Sequence, residues 1–374
     1  MPRNQKARRR LLALAISALA AFVAGISAGA GAGGEERPGK PAVPLDTPVE
    51  VSDDLSPEKQ VGQLLISRFD GRRAPAYILQ RLRAGQTAGV ILFGDNVGRG
   101  GIRPLTGELQ AAARRGALIA TDDEGGSIMN VALPTPLPAQ PDLSTSVVEA
   151  TRTAGSELRE EGVNVNLAPV ADLPVPGSVM SGRAYTGAPH DVAAKTAEAV
   201  RGFGQGKVAA TVKHFPGLGP AVQNTDDASV TIEGARKELE DDLLPFRAAI
   251  DVNVPLVMAS HALYPALDWR RIASQSSAAL EGLLRDGLGY GGVIITDSIE
   301  AQAVLDRSSV EVAAERSIDA GADLVLMTGR GSWIRIYPRL LARFRRDPVF
   351  RERVAESVAR VLKLKRSLGL SATP

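Results

Sequence analysis

At 374 residues, with 44% hydrophobic and 23% charged side chains, the chain is long enough to bury one large core and has an ordinary globular balance. Its net charge of +2 is concentrated at the front: Arg3, Lys6, Arg8, Arg9 and Arg10 precede the first acidic residue, Glu35, and the remainder is close to neutral, which excludes the basic footprint of a nucleic-acid binder. The absence of cysteine excludes disulfides, thiolate metal sites and a lipid-modified N-terminal Cys.

Residues 1–34 read as an export segment. The basic start runs into the apolar stretch Leu11–Ser27 and then into small residues around Ala28-Gly29-Ala30, the order of a signal peptide. An uncleaved membrane anchor is the alternative, since about 17–20 apolar residues can span a bilayer. Either places the protein outside the cytoplasm, secreted or anchored through this segment. Residues 35–50 continue a stretch, Gly31–Pro48, rich in Gly, Pro and charge and so expected to be a flexible linker. The remainder, 51–374, is expected to be one domain.

Within that domain short β-branched runs alternate with longer amphipathic ones. The predicted strands are Leu64–Arg68, Gly89–Phe93, Ala117–Thr121, Asn164–Leu167, Val208–Lys213, Pro255–Ser260, Val293–Thr296 and Leu324–Met327. Between them the 3.6-residue period predicts helices over Pro75–Ala84, Val148–Glu161, Val192–Gly206, Arg236–Ile250 and Val310–Ala320, with a last helix over Arg351–Ser367. Continuous apolar strands alternating with helices imply a parallel sheet covered on its outer face. Eight such units favour closure into a (β/α)₈ TIM barrel, an α/β single domain.

The polar residues fall where such a barrel builds its chemistry. Thr121-Asp122-Asp123-Glu124-Gly125-Gly126 follows the third strand, and Ala168-Pro169-Val170-Ala171-Asp172 follows the fourth, with Arg183 further along. Lys213-His214-Phe215-Pro216-Gly217 ends the fifth, Ser260-His261 the sixth and Thr296-Asp297-Ser298 the seventh. In a parallel barrel these ends share one face, so charged groups far apart in sequence converge on one pocket.

The same residues carry a family resemblance. Gly89-Val90-Ile91-Leu92-Phe93-Gly94, Lys213-His214-Phe215-Pro216-Gly217, His261 with Tyr264-Pro265, and Val293-Ile294-Ile295-Thr296-Asp297-Ser298 resemble family 3 glycoside hydrolases. They point to the single-domain branch that releases N-acetylglucosamine from cell-wall fragments. The likeness runs from about Ser56 to Gly369. It implies that Asp297 is the nucleophile, forming a covalent glycosyl-enzyme; a helix N-cap is the alternative role for an Asp after a strand. It implies that Asp122 accepts hydrogen bonds from two sugar hydroxyls, that Lys213 and His214 donate to hydroxyls, and that Arg183 contacts the N-acetyl side. His261 is either a further substrate contact or a satisfied structural histidine. Asp172 reads as a bridge among the loops and His190 as a surface residue.

One part of the family pattern is absent. In the branch concerned the loop reads Lys-His-Phe-Pro-Gly-His-Gly, four residues, then Asp-Ser-His, the last being the acid/base. Here Leu218 replaces the first variable His, Asn224-Thr225-Asp226 stands where Asp-Ser-His is expected, and no histidine occurs between His214 and His261. Three readings follow. Asp226 or Asp227 is a carboxylic acid/base, its pKa raised by the adjacent carboxylate; or leaving groups of low pKa depart without a proton donor; or the barrel binds glycans and hydrolyses nothing. The family's arginine after Glu-Gly-Gly is also replaced, by Ser127-Ile128-Met129-Asn130, so loop anchoring or sugar preference is expected to differ.

The expected activity is that of an exported, retaining exo-β-glycosidase acting as a monomer on a carbohydrate, terminal β-N-acetylglucosamine of peptidoglycan-type fragments. A catalytically impaired glycan-binding envelope protein is the alternative. Only 4% of residues are aromatic, which suits an exo-acting pocket better than a long stacking groove. Three scattered histidines and no thiols predict no metal. Gly94-Asp95-Asn96-Val97-Gly98 is a poor match to a dinucleotide loop, so no cofactor is expected.

Overall fold

The computed structural model describes residues 55–98, 101–143, 146–234, 237 and 239–371. The predicted export segment and linker lie outside them. No helix among the described residues is long and apolar enough to cross a membrane.

A short helix α1 (Pro57–Gly62) leads into strand β1 (Leu65–Arg68). Four β/α units follow: α2 (Ala76–Arg83) and β2 (Gly89–Leu92), α3 (Arg103–Ala112) and β3 (Leu118–Thr121), α4 (Val147–Glu160) and β4 (Val165–Asn166), α5 (Pro189–Gln205) and β5 (Ala209–Phe215). Helix α6 (Leu239–Asp251) precedes β6 (Leu256–Ala259). A small antiparallel hairpin, β7 (Leu263–Tyr264) and β8 (Asp268–Ile272), and the wide-turned helix α7 (Ala278–Gly287) then lead to β9 (Val293–Ser298). Helices α8 (Gln302–Leu305) and α9 (Val310–Asp319) precede β10 (Leu324–Leu326), and α10 (Ser332–Arg346) and α11 (Pro348–Ser367) end the fold.

Strands β1, β2, β3, β4, β5, β6, β9 and β10 pair in parallel in that order, and β10 returns to β1, closing the barrel. Each predicted strand is present. Side-chain alternation explains why the strands are apolar throughout. Leu256 and Met258, Val293 and Ile295, and Ala120 and Ile91 belong to the cluster filling the barrel. Their neighbours Val257, Ile294, Ile119 and Val90 join the cluster packed beneath the helices. At Gly89 the strands come so close that an added Cβ would lie 1.9 Å from the Leu118 carbonyl oxygen.

The observed elements differ from expectation where tertiary contacts decide. Strand β4 is two residues rather than four, because the Asn164 side chain replaces ladder bonds, accepting from the Ile119 amide at 2.9 Å and donating to the Ala117 carbonyl at 3.0 Å. Strands β5 and β9 run on to Phe215 and Ser298, carrying site residues within the ladder. Helix α3 was not anticipated. Its first amides, Ile102 and Arg103, are capped at 2.7 and 3.1 Å by the carboxylate of Glu161, far along the chain. Nor were α10 and the β7–β8 hairpin, which carry Pro338 and Pro265 and so break the local patterns.

At the N-terminal end of the barrel the fully buried Asp323 carboxylate joins Arg285 at 2.6 Å, Arg353 at 3.1 Å and Arg360 at 3.1 Å. This network ties α7 and α11 to β10. The C-terminal end of the same strands is left for chemistry.

Candidate active site

The C-terminal strand ends and the loops after them surround a cavity of about 400 Å³. Asp122, Arg183, Lys213, His214, Asp226 and Asp297 all line it. Residues spread over 176 positions of sequence meet because each follows, or ends, a different strand of one closed sheet. A larger opening of about 510 Å³ lies beside it, sharing Arg68 and Thr328 with it. It lacks a pair of facing carboxylates, so the smaller cavity is where acid–base chemistry can occur.

Asp297 is the next-to-last residue of β9. Its side chain is 21% exposed, enough to present one oxygen to the cavity. The Ser298 amide donates to Oδ1 at 2.7 Å, and Oδ2 lies 3.9 Å from His214 Nε2. Burial opposes ionisation of this carboxyl, but the neighbouring His214 and His261 and the Ser298 amide outweigh it and hold the group below the ordinary carboxylate range. Asp297 is therefore an anion at neutral pH, the form a nucleophile requires.

His214 is held from behind. Its Nδ1 meets Asp172 Oδ2 at 2.7 Å, and a carboxylate accepts, so the ring proton sits on Nδ1. The other oxygen of Asp172 accepts the His214 amide at 3.2 Å and the Leu218 amide at 2.6 Å. Asp172 is fully buried and bridges the loops after β4 and β5, in keeping with its reading as a bridge. The Lys213–His214 and Phe215–Pro216 peptides are cis.

On the opposite wall two acids and two bases form a quartet, in which burial pushes the Asp122 carboxyl upward against the pull of Lys213. Lys213 Nζ lies 2.6 Å from both Asp122 Oδ1 and Glu124 Oε1. Arg183 forks onto Glu124, Nε at 2.8 Å and Nη2 at 2.5 Å. Burial opposes ionisation of Glu124, but Lys213 and Arg183 overcome it and lower its pKa to about 2. Glu124 was not singled out from the sequence. The signal was present, because Asp122 and Glu124 are two residues apart and such residues project to one side of an extended segment.

Asp123 points the other way. It is buried, and its Oδ1 accepts the amides of Asn130 and Val131, while its own amide donates to Asn166 Oδ1 at 3.0 Å. Asn130, standing in the segment that replaces the family arginine, also donates to the Asp122 carbonyl at 2.6 Å and accepts from the Gly94 amide at 3.2 Å. The loop is thus anchored through an amide side chain.

The segment Asn224–Asp227 is tied to the residues that follow β9. The amides of Gln302 and Ala303, at the start of α8, donate to the carbonyls of Asp226 and Thr225, each at 3.1 Å. Asp226 and Asn224 exchange side-chain contacts, with the Asp226 amide 3.2 Å from Asn224 Oδ1. Partial burial and then the Asp297 charge push the Asp226 carboxyl upward. Both acids are exposed, and only the first of the two, Asp226, lines the cavity.

His261 is a correction. It is wholly buried, is absent from the cavity wall, and has both ring nitrogens engaged, Nδ1 with Ser274 Oγ at 2.7 Å and Nε2 with the Ser298 carbonyl at 2.9 Å. Rather than contact a sugar, it fixes the end of β9 behind Asp297. His190 is exposed, as expected.

Glu300, which carries no motif of its own, was missed. It lines the cavity and accepts from the Thr328 amide at 2.8 Å and from Ser298 Oγ at 3.2 Å, joining the loops after β9 and β10. Phe93 is the one aromatic side chain in the wall of the cavity. Among the described residues no cluster of His, Asp and Glu could hold a metal ion.

The family model "Glycosyl hydrolase family 3 N terminal domain" matches residues 57–364. A β-hexosaminidase of Stenotrophomonas maltophilia is 34% identical over 254 residues, covering 64% of this chain and 76% of that protein. A β-hexosaminidase of Xylella fastidiosa is 32% identical over 279 residues, covering 71% and 83%. A solved structure of a family 3 β-N-acetylglucosaminidase from Paenibacillus superposes with a TM-score of 0.80 at 36% identity, covering 84% of this chain. This chain spans 63% of the length of that Paenibacillus protein. A β-N-acetylhexosaminidase from Beutenbergia cavernae superposes with a TM-score of 0.77 at 28% identity, covering 84% of this chain and 99% of the other. The closed eight-stranded barrel, the carboxylate at the end of β9 and these relatives lead to one conclusion: the chain belongs to glycosyl hydrolase family 3, in its β-N-acetylhexosaminidase-type branch.

Proposed function

We propose that the chain is a retaining exo-β-N-acetylglucosaminidase in which Asp297 is the nucleophile and Asp226 the acid/base. The observation that carries this reading is the pair of carboxyl groups in one cavity with affinities for protons pushed apart, Asp297 downward and Asp226 upward. Such a pair assigns the roles, because the anion attacks and the neutral acid donates. Asp297 Oδ2 forms a bond to the anomeric carbon as the bond to the glycosidic oxygen breaks, and that oxygen takes the Asp226 proton. Asp226, now a carboxylate, removes a proton from water. The water oxygen attacks the anomeric carbon and releases Asp297. The Asp122–Lys213–Glu124–Arg183 quartet presents donors and acceptors already oriented for sugar hydroxyls and the N-acetyl group.

The test is an aryl β-N-acetylglucosaminide assay with trapping by an activated fluorinated sugar. Mass spectrometry should find the sugar on the peptide containing Asp297, and Asp297→Ala should abolish turnover. Label on another residue, or turnover kept by the variant, would overturn the assignment. Absence of histidine between His214 and His261 favours a second reading, a barrel that binds glycan without hydrolysing it. Calorimetric binding of N-acetylglucosamine with no turnover of any aryl glycoside would establish that one instead. The extracytoplasmic setting and the peptidoglycan-type substrate are supported by residues 1–34 as an export signal. Recovery of the expressed protein only from the cytoplasmic fraction would sink that part.

A further inference from the structure

Away from the catalytic cavity, four arginines from three elements line a separate concavity of about 280 Å³: Arg270 and Arg271 on β8, Arg307 just after α8, and Arg316 on α9. Ile272 and Gln275 complete its wall. Among the described residues none of the four makes an ion pair with a carboxylate. The nearby acids are engaged elsewhere. Asp268 accepts the Arg270 and Arg271 amides and Ser276 Oγ, and Asp306 bonds Gln302 and Ser229 while feeling the Arg307 charge. Glu311 and Glu315 pair with Arg335 and Arg339.

The guanidiniums repel one another. Partial burial and then the charge of Arg271 lower the pKa of Arg316 from its ordinary value. The side-chain Nε2 of Gln275, in the same wall, is buried and has no acceptor. Four cations outside any ion pair among the described residues and an unused amide donor around one small hollow are an arrangement that a multiply charged oxyanion completes. Guanidinium suits a phosphoryl group, whose oxygens accept paired, charge-assisted hydrogen bonds. Trp269, 68% exposed with Arg270 lying 4.4 Å from its ring centroid, sits at the edge of the patch.

We propose that this hollow is a binding site for a phosphoryl-bearing anion, distinct from the glycosidase cavity. The expected ligand carries at least two negative charges, as a pyrophosphate or a run of phosphodiester groups does. No residue of the catalytic cavity contributes to it.

The full chain would be titrated calorimetrically with sodium pyrophosphate at about 0.1 M ionic strength, where exposed charges beyond roughly 10 Å are screened. Arg271→Ala/Arg307→Ala would be compared in parallel. Saturable binding by the native chain, at least tenfold weaker in the double variant, is expected, with kcat and KM on an aryl glycoside unchanged. Gln275→Leu should weaken binding as well. Sedimentation with phosphatidylglycerol vesicles, against phosphatidylcholine vesicles, identifies the source. Pyrophosphate-competed binding to the anionic vesicles assigns a lipid headgroup, and pyrophosphate binding without it assigns a soluble phosphorylated ligand. No pyrophosphate binding, or binding that the double variant retains, would overturn the proposal.

Discussion

Replacing Asp226 by Asn tests the acid/base assignment most directly, because the change keeps shape and removes only the transferable proton. Eight ionisable residues line the cavity. Arg68 is a permanent cation, and Asp122, Lys213 and Arg183 are locked in ion pairs. His214 donates a hydrogen bond from Nδ1 to Asp172, Glu300 accepts from Thr328 and Ser298 through Oε2 while its buried Oε1 has no partner, and Asp297 is the proposed nucleophile. Asp226 is the carboxyl of that wall that is pushed upward and stands in no ion pair among the described residues, and its side chain accepts a hydrogen bond from Asn224. Loss of a general acid costs about 10²–10⁴ in rate, or roughly 3–5 kcal/mol of barrier at about 1.4 kcal/mol per tenfold. The full loss is expected for a sugar or alkyl leaving group. An aryl leaving group of low pKa needs no proton, so there kcat/KM, which reports formation of the glycosyl-enzyme, should fall by less than about tenfold, while kcat falls for every substrate with loss of the base that activates water. The pH profile carries an independent prediction. In the native enzyme activity should fall at low pH as Asp297 takes up a proton and at high pH as Asp226 loses one. The alkaline limb should vanish in Asp226→Asn. The variant should also be the more stable protein at neutral pH. A carboxyl whose folded pKa is raised makes the fold lose stability as pH climbs above its unfolded value, and Asn removes that loss. Equal losses of kcat/KM for good and poor leaving groups, or an alkaline limb that persists in the variant, would refute the assignment.

Two further substitutions address what holds the cavity. Glu124→Gln leaves Lys213 and Arg183 without their shared anion and should cost about 3–5 kcal/mol, the usual penalty for breaking a buried ion pair, read as a lower denaturant midpoint at pH 7. Native Glu124 titrates at about 2 rather than 4.5, so the roughly 3 kcal/mol linked to it is present above pH 4.5 and drains away as pH falls towards 2. A midpoint that shifts equally for native and variant over that range would contradict this account. Gly89→Ala drives a Cβ to 1.9 Å from the Leu118 carbonyl oxygen and 2.6 Å from its carbon, both backbone atoms of the paired strand. The barrel must open there, and a loss above about 4 kcal/mol, seen as insoluble expression or a collapsed Tm, is expected. Soluble protein of native Tm would show that the β2–β3 spacing is looser than described.

Strand β9 was readable because its signal is local: an apolar run, Val293–Ile295, then Thr296-Asp297-Ser298. The same holds for Lys213-His214-Phe215-Pro216-Gly217 and for the placing of Asp122, Arg183 and Asp226 on the catalytic face. Asp226 could be separated from Asp227 only in three dimensions. The two are adjacent acids in a turn, and it is the hold of α8 on the Thr225 and Asp226 carbonyls that decides which one reaches the cavity. His261 shows the opposite failure. Its position after β6 resembled a ligand-binding one, yet Ser274 and the Ser298 carbonyl, 13 and 37 residues away, take both of its nitrogens. Helix α3 escaped notice because its cap, Glu161, lies some 60 residues downstream.

Taken alone, the order of apolar runs and polar ends determines a parallel (β/α)₈ barrel and the face on which its chemistry sits. Period and strand count are properties of neighbours along the chain, and closure makes all strand ends converge. Which carboxyls face one another, which are buried in ion pairs, and which arginines stand outside any ion pair among the described residues depend on contacts between residues tens to hundreds of positions apart. Those contacts set desolvation and local charge, so the proton affinities of Asp297, Asp226 and Glu124 exist only in the folded protein.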